Sequence, residues 1–199
     1  ADDLKLVRDG ASDDLQIFLL DENGEAFRAL YRAVGELDAA IAVLSFRKSL
    51  PGYCLPAFVR QGCVETDGVY HPLITKPVDN SISITRGCLI SGSNASGKST
   101  FIKAVAISAI LAQTVNTCLA RRFEMRAALV MTSMAVRDDV TAGESYFVTE
   151  IKSLHRILDM LPRVFCLCFI DEILKGTNTA ERIAASAATL KFMQLRECL

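Results

Sequence analysis

Between residues 21 and 48, apolar side chains recur at Phe27, Leu30, Tyr31, Val34, Leu37, Ile41 and Leu44. That three-and-four spacing predicts one long amphipathic helix, which Leu50-Pro51-Gly52 would end. The pattern then shortens. Residues 57–65 and 69–74 are β-type runs on either side of Thr66-Asp67-Gly68, which has the composition of a turn. Residues 81–85 and 87–91 are predicted as strands, the second running straight into a glycine- and serine-rich loop with a helix from about Lys98. The apolar stretch 101–120 is interrupted by Lys103, Gln113 and Asn116, which suits a buried core helix better than a membrane span. A strand over 129–135, a charged loop over 137–144, and a helix presenting Phe147, Ile151, Leu154, Leu158 and Leu161 on one face follow; Pro162 closes that helix. Residues 164–170 form a continuous apolar run ending in Asp171-Glu172, the pattern of a central parallel strand covered on both faces. An alanine-rich helix from Thr179 to about Leu195 completes the series, and strands alternating with helices predict an α/β fold.

Two segments carry chemistry. Gly92-Ser93-Asn94-Ala95-Ser96-Gly97-Lys98-Ser99 fits G-x-x-x-x-G-K-[ST] and lies between a predicted strand and a predicted helix, as a phosphate-binding loop requires. Its glycines let the backbone curl so that successive N–H groups point inward, and the helix dipole adds positive potential there. Lys98 would reach the β and γ phosphates of ATP, Ser99 would give its hydroxyl to Mg²⁺, and Thr100 completes the binding segment. Asp171 would hold the same Mg²⁺ through water, and Glu172 would orient and deprotonate the attacking water. These residues predict a P-loop NTPase sheet with flanking helices. From its own segment Ser145 is a helix cap, and residues 176–179 are a turn and cap. A P-loop kinase would need an arginine-rich lid, which no segment supplies; a nucleotide switch without turnover stays open beside an ATPase.

Composition changes the picture little. The chain has 199 residues, 51% hydrophobic and 23% charged with a formal net charge of −1, so it can bury a core and offers no global nucleic-acid or membrane surface. Its seven cysteines have no CxxC pairing and mostly sit in apolar runs, which predicts small buried hydrophobes in a reducing compartment. Residues 1–8 are charged and lack a signal-peptide core. The expectation is a cytoplasmic protein with no membrane association. His71 and His155 are isolated, and Arg121-Arg122 is predicted as a solvated face.

Taken in order, several segments resemble the C-terminal ATPase domain of the MutS family of DNA mismatch recognition proteins. Residues 71–74 (HPLI) look like its R-H-P segment, and Val78-Asp79-Asn80 like the stretch lining its adenine pocket. SGSNASGKST is similar to TGPNMAGKST, DDVTAGESYFVTEI to DDL-x-x-G-x-STF-x-x-EM, and FIDEILKGTNT to LLDE-[LI]-GRGTST. The resemblance implies ATP turnover coupled to rearrangement of a dimer and a DNA clamp. It further implies base contacts from Val78 and Asn80, a homodimer with composite ATP sites, and Ser145 of one subunit approaching the γ-phosphate held by the other. Residues 1–56 would be a helical lever remnant and 57–199 the ATPase domain, truncated before a switch histidine and dimerisation helices. DNA would be held by regions absent from this chain. Pro77 stands where the family usually has an aromatic residue, and Lys175 and Asn178 stand where it has Arg and Ser, the marks of a divergent branch.

Overall fold

A computed structural model describes residues 24–93, 95–134 and 146–199. The chain divides into two units, 1–49 and 50–199. In the first, helix α1 (Gly24–Ser49) has Glu25 in its opening turn and Arg47 and Lys48 in its last, charges that complement the helix dipole. Its predicted apolar stripe, Phe27 to Leu44, is exposed.

The second unit is α/β. Strands β1 (Ala57–Phe58), β2 (Val64–Val69) and β3 (Asn80–Ile84) join β4 (Arg122–Met125) in a four-stranded sheet of order β1-β4-β2-β3, in which only the β1–β4 pair is parallel. Strands β5 (Leu129–Ser133) and β6 (Cys166–Ile170) pair in parallel as a second sheet. The other edge of β6 is also taken: Leu199 N donates to Cys166 O at 3.1 Å and Cys168 N to Leu199 O at 2.6 Å. The apolar run that ends in the acidic pair is therefore flanked in parallel on both edges, as its continuous hydrophobicity predicts.

Helix α2 (Lys98–Val115) packs against β2 of one sheet and against β5 and β6 of the other. Ala104, Val105, Ala106, Ala109 and Ala112 share one buried cluster with Val64, Val69, Phe123 and Met125 on one side and Leu167 and Phe169 on the other. A helix touching two sheets must be thin at the contact, and alanine supplies that at no cost in helix propensity. Asn116, in the left-handed conformation at φ 51°, ends α2, and Cys118 then exchanges both backbone hydrogen bonds with Cys54 (3.0 and 2.9 Å). Helix α3 (Tyr146–Met160) and helix α4 (Thr179–Gln194) complete the unit.

Four local expectations differ. Thr66-Asp67-Gly68 lies inside β2 rather than making a turn, because Gly68 at φ 65° forms an irregularity where the β2–β3 register shifts. A guanidinium fixes it: Arg121 Nε and Nη2 donate to both Asp67 oxygens at 3.0 and 2.9 Å, and Arg121 Nη1 donates to Asp79. Ser81 Oγ donates to Asp67 Oδ1 (2.8 Å) and accepts from Gly68 N (3.0 Å). A Cβ at position 68 would lie 2.5 Å from the guanidinium carbon, so glycine is required on two grounds. Of the predicted strands 57–65 and 69–74, only the ends are in the sheet. Residues 87–91 are not a strand among the described residues; Leu89 is 86% exposed. The cysteine expectation holds for Cys63, Cys118 and Cys166, which are buried, but not for exposed Cys88.

Two predictions follow from this packing. Ala109 is completely buried, so Ala109→Leu should destabilise unit 2 by about 1–3 kcal/mol through overpacking, read as a lower denaturant midpoint with unchanged slope; an unshifted midpoint would show that α2 has room. The Arg121 guanidinium, then the Ser81 hydroxyl, hold the Asp67 carboxyl at about 2 against an ordinary 3.8. Because the folded value is the lower one, this stabilisation is complete above about pH 3.8 and lost as pH falls through about 2. Acid unfolding followed by circular dichroism should be less steep across that window in Asp67→Asn and Arg121→Gln than in the parent; parallel curves would remove the pair's role.

Candidate functional site

The loop before α2 is built from left-handed residues. Ala95 has φ 62° and Gly97 φ 88°, and Ser96 N donates back to Ser93 O at 3.3 Å. At Gly92 a Cβ would come within 3.2 Å of Ser96 Oγ, so a side chain there would crowd the curl. Lys98 folds back over the loop and donates from Nζ to Gly92 O (2.7 Å) and Ser93 O (2.6 Å). Gly97 caps α2 without a side chain, and there is no acidic residue in the first turn. The first-turn amides of Lys98, Ser99 and Thr100 thus lack a side-chain cap, the condition in which a helix N-terminus accepts an anion. Asn94 and Ser145 lie outside the described residues.

The acidic pair stands at the end of β6. Asp171 N donates to Ser133 O at 3.0 Å, which extends the parallel register one residue past Ser133–Ile170. The chain then leaves the sheet sharply: Glu172 at φ 57° and Leu174 at φ 51° are both left-handed without being glycine. Glu172 Oε2 meets Lys175 Nζ at 2.8 Å in an exposed ion pair. Asn178 Oδ1 accepts from Glu181 N at 3.0 Å and caps α4, as the turn-and-cap reading of 176–179 predicts.

Helix α2 links the two segments. Phe101 and Ile102, one turn from Lys98, pack against the cluster that contains Leu167 and Phe169 of β6. Val78 and Asn80 lie at the start of a strand of the four-stranded sheet: Asn80 opens β3, and its Nδ2 donates to Val78 O at 3.2 Å. Asp79 between them is tied by Arg121. The predicted solvated face at Arg121-Arg122 is exposed but ion-paired, Arg122 with Glu65 and Glu124. His155 lies 3.1 Å from Asp159.

Sequence reasoning overlooked Glu150. It is 3% exposed, and its two oxygens accept from Lys175 N (3.1 Å) and Gly176 N (3.0 Å) of the loop that follows the acidic pair. The signal was present as a carboxylate on the apolar stripe of α3, three residues after Phe147 and four before Leu154. The buried face of α3 centres on Glu150, Leu154 and Ile157, while the predicted Ile151 is exposed.

Among the described residues no group of three or more His, Cys, Asp or Glu side chains could hold a metal, and no helix is long and apolar enough to cross a membrane. A divalent ion at this site would instead draw on the Ser99 hydroxyl and Asp171, with ligand phosphates and water completing the shell. A lysine, a hydroxyl, uncapped amides and a carboxylate pair fit a magnesium-bound triphosphate.

Comparison with known proteins gives this arrangement a lineage. Residues 88–198 match MutS domain V. Over 182 residues the chain is 31% identical to the DNA mismatch repair protein msh3 of Aspergillus fumigatus, covering 86% of this chain and 16% of that protein. Over 180 residues it is 32% identical to the msh3 of Aspergillus niger, covering 85% of this chain and 16% of that one. MutS protein homolog 4 of Mus musculus is 32% identical over 186 residues, 88% of this chain and 19% of its own length. The chain thus spans less than a fifth of these relatives, and within that span, which includes the glycine loop, α2 and the acidic pair, it belongs to the MutS family.

Proposed function

We propose that residues 57–199 are a P-loop ATPase domain of a MutS-like DNA mismatch repair protein, preceded by a helical lever segment at 1–56, in which ATP turnover drives rearrangement of a dimer and of a DNA clamp. The observation that carries this reading is the loop curled under Lys98 before an uncapped helix, with that helix packed on the strand that ends in Asp171-Glu172. Residues 92–100 would hold the phosphates, Val78 and Asn80 the base, and Ser99 and Asp171 the ion. Bound Mg²⁺ would neutralise charge on the phosphoryl oxygens. Lys98 would exchange its two carbonyl partners for phosphate oxygens, a charge-assisted contact stronger than the one it gives up. Glu172 would leave Lys175 and take the proton of the attacking water, so catalysis is positioning and charge stabilisation.

Lys98→Ala should abolish binding of a fluorescent ATP analogue, whereas Glu172→Gln should keep binding within about threefold and lower turnover by roughly 10²–10⁴. Turnover that survives Glu172→Gln would remove the general base from this account.

The composite site requires a second domain of the same kind, from another copy of this chain or from another family member, with Ser145 reaching across. In the full chain, Mg-ATP should raise the associated fraction in sedimentation velocity, and Ser145→Ala should lower turnover while single-site binding persists. Association indifferent to nucleotide would count against a shared site.

A second reading, a nucleotide switch without turnover, is favoured by the Glu172–Lys175 ion pair, which occupies the base. Phosphate release with and without duplex DNA separates it from the first. Comparing heteroduplex with homoduplex at stated salt separates mismatch recognition from action on other DNA structures.

A further inference from the structure

The loop between the acidic pair and α4 holds an unfavourable backbone. Glu172 and Leu174 are both left-handed, a conformation that L side chains resist and that persists only where the surroundings over-determine it. The loop is fixed at its start by Asp171 N on Ser133 O and at its end by the Asn178 cap. Its middle is held by Glu150 of α3, each oxygen of which takes one amide, Lys175 N or Gly176 N. Burying a carboxylate is heavily penalised unless its oxygens are hydrogen-bonded, and consecutive amides satisfy both. Among the described residues, the two amides that Glu150 holds, Lys175 N and Gly176 N, belong to none of the residues assigned to nucleotide or ion.

We propose that Glu150 is a positioning residue for Glu172: by gripping the amides three and four residues further on, it sets the left-handed turn that aims the Glu172 carboxylate. This rests on the ATPase reading above, with Glu172 as general base. Removal of the grip releases the loop without touching Lys98, Ser99 or the helix N-terminus, so it acts on the chemical step and leaves binding alone.

The test uses Glu150→Gln and Glu150→Ala in the full chain, with nucleotide affinity, KM, single-turnover rate and amide exchange measured on each. Glu150→Ala should lower kcat on the order of ten- to a hundredfold, the effect of a misplacement of about 1 Å, with affinity and KM within about twofold. Glu150→Gln, which keeps one acceptor oxygen, should fall between Glu150→Ala and the parent. Amide protection should drop at 172–178 and stay unchanged in α2. Unchanged kcat in both variants, or protection and affinity lost across all of unit 2, would overturn the positioning role while leaving the ATPase reading intact. Failure of the parent chain to bind nucleotide, or binding insensitive to Lys98→Ala, would overturn both.

Discussion

The joining of the two sheets in the second unit depends on α2 being narrow. One helix meets β2 of the four-stranded sheet and β5 and β6 of the other, and its buried positions are all small, four of the six being alanine. Dispersion and apolar burial along that seam hold the two sheets to a common core. The seam also has a direction. Its N-terminal end carries the glycine loop and Lys98, and its first apolar residues, Phe101 and Ile102, rest on the cluster to which Phe169 of β6 belongs. The glycine loop and the acidic pair are thereby attached to one packing contact, whereas the segments that bear them are exposed or left-handed.

Around that core, polar clamps set the irregular backbone. The Arg121 guanidinium holds the β2 irregularity through Asp67 and reaches Asp79, and Glu150 holds the loop after Glu172. The two clamps differ in strength for a physical reason. Arg121, Asp67 and Asp79 are at least half exposed along their side chains, so water and salt screen them. Glu150 is buried, and loss of its partners would leave a charge with nothing to replace them. A buried clamp fixes geometry; an exposed one leaves it adjustable.

This division explains what the sequence made legible. Residues 98–115 and 166–170 could be placed because continuous apolar character over a helical or strand length has few other solutions, and the acidic pair followed from where the run stops. The α/β class came with them. The inset Thr66-Asp67-Gly68 was read as a turn because a turn and a β irregularity ask the same backbone freedom of glycine; only Arg121, 53 positions on, decides between them. Residues 87–91 have strand composition, but a strand also needs a hydrogen-bonding neighbour, which local pattern cannot report. Glu150 was hidden because its partners are backbone amides, and an amide has no letter in the sequence.

On the ATPase reading, two charged groups of the site, Lys98 and Glu172, already have partners before nucleotide arrives. Lys98 rests on the carbonyls of Gly92 and Ser93, and Glu172 on Lys175. Both contacts are exchangeable: exposed ion pairs are worth about 0–1 kcal/mol, and a neutral carbonyl is a weaker partner for an ammonium than a phosphate oxygen. Binding then exchanges partners one for one. The costly element, the left-handed loop, is ordered in advance by Glu150, so nucleotide affinity need not be spent on folding the segment that carries the base.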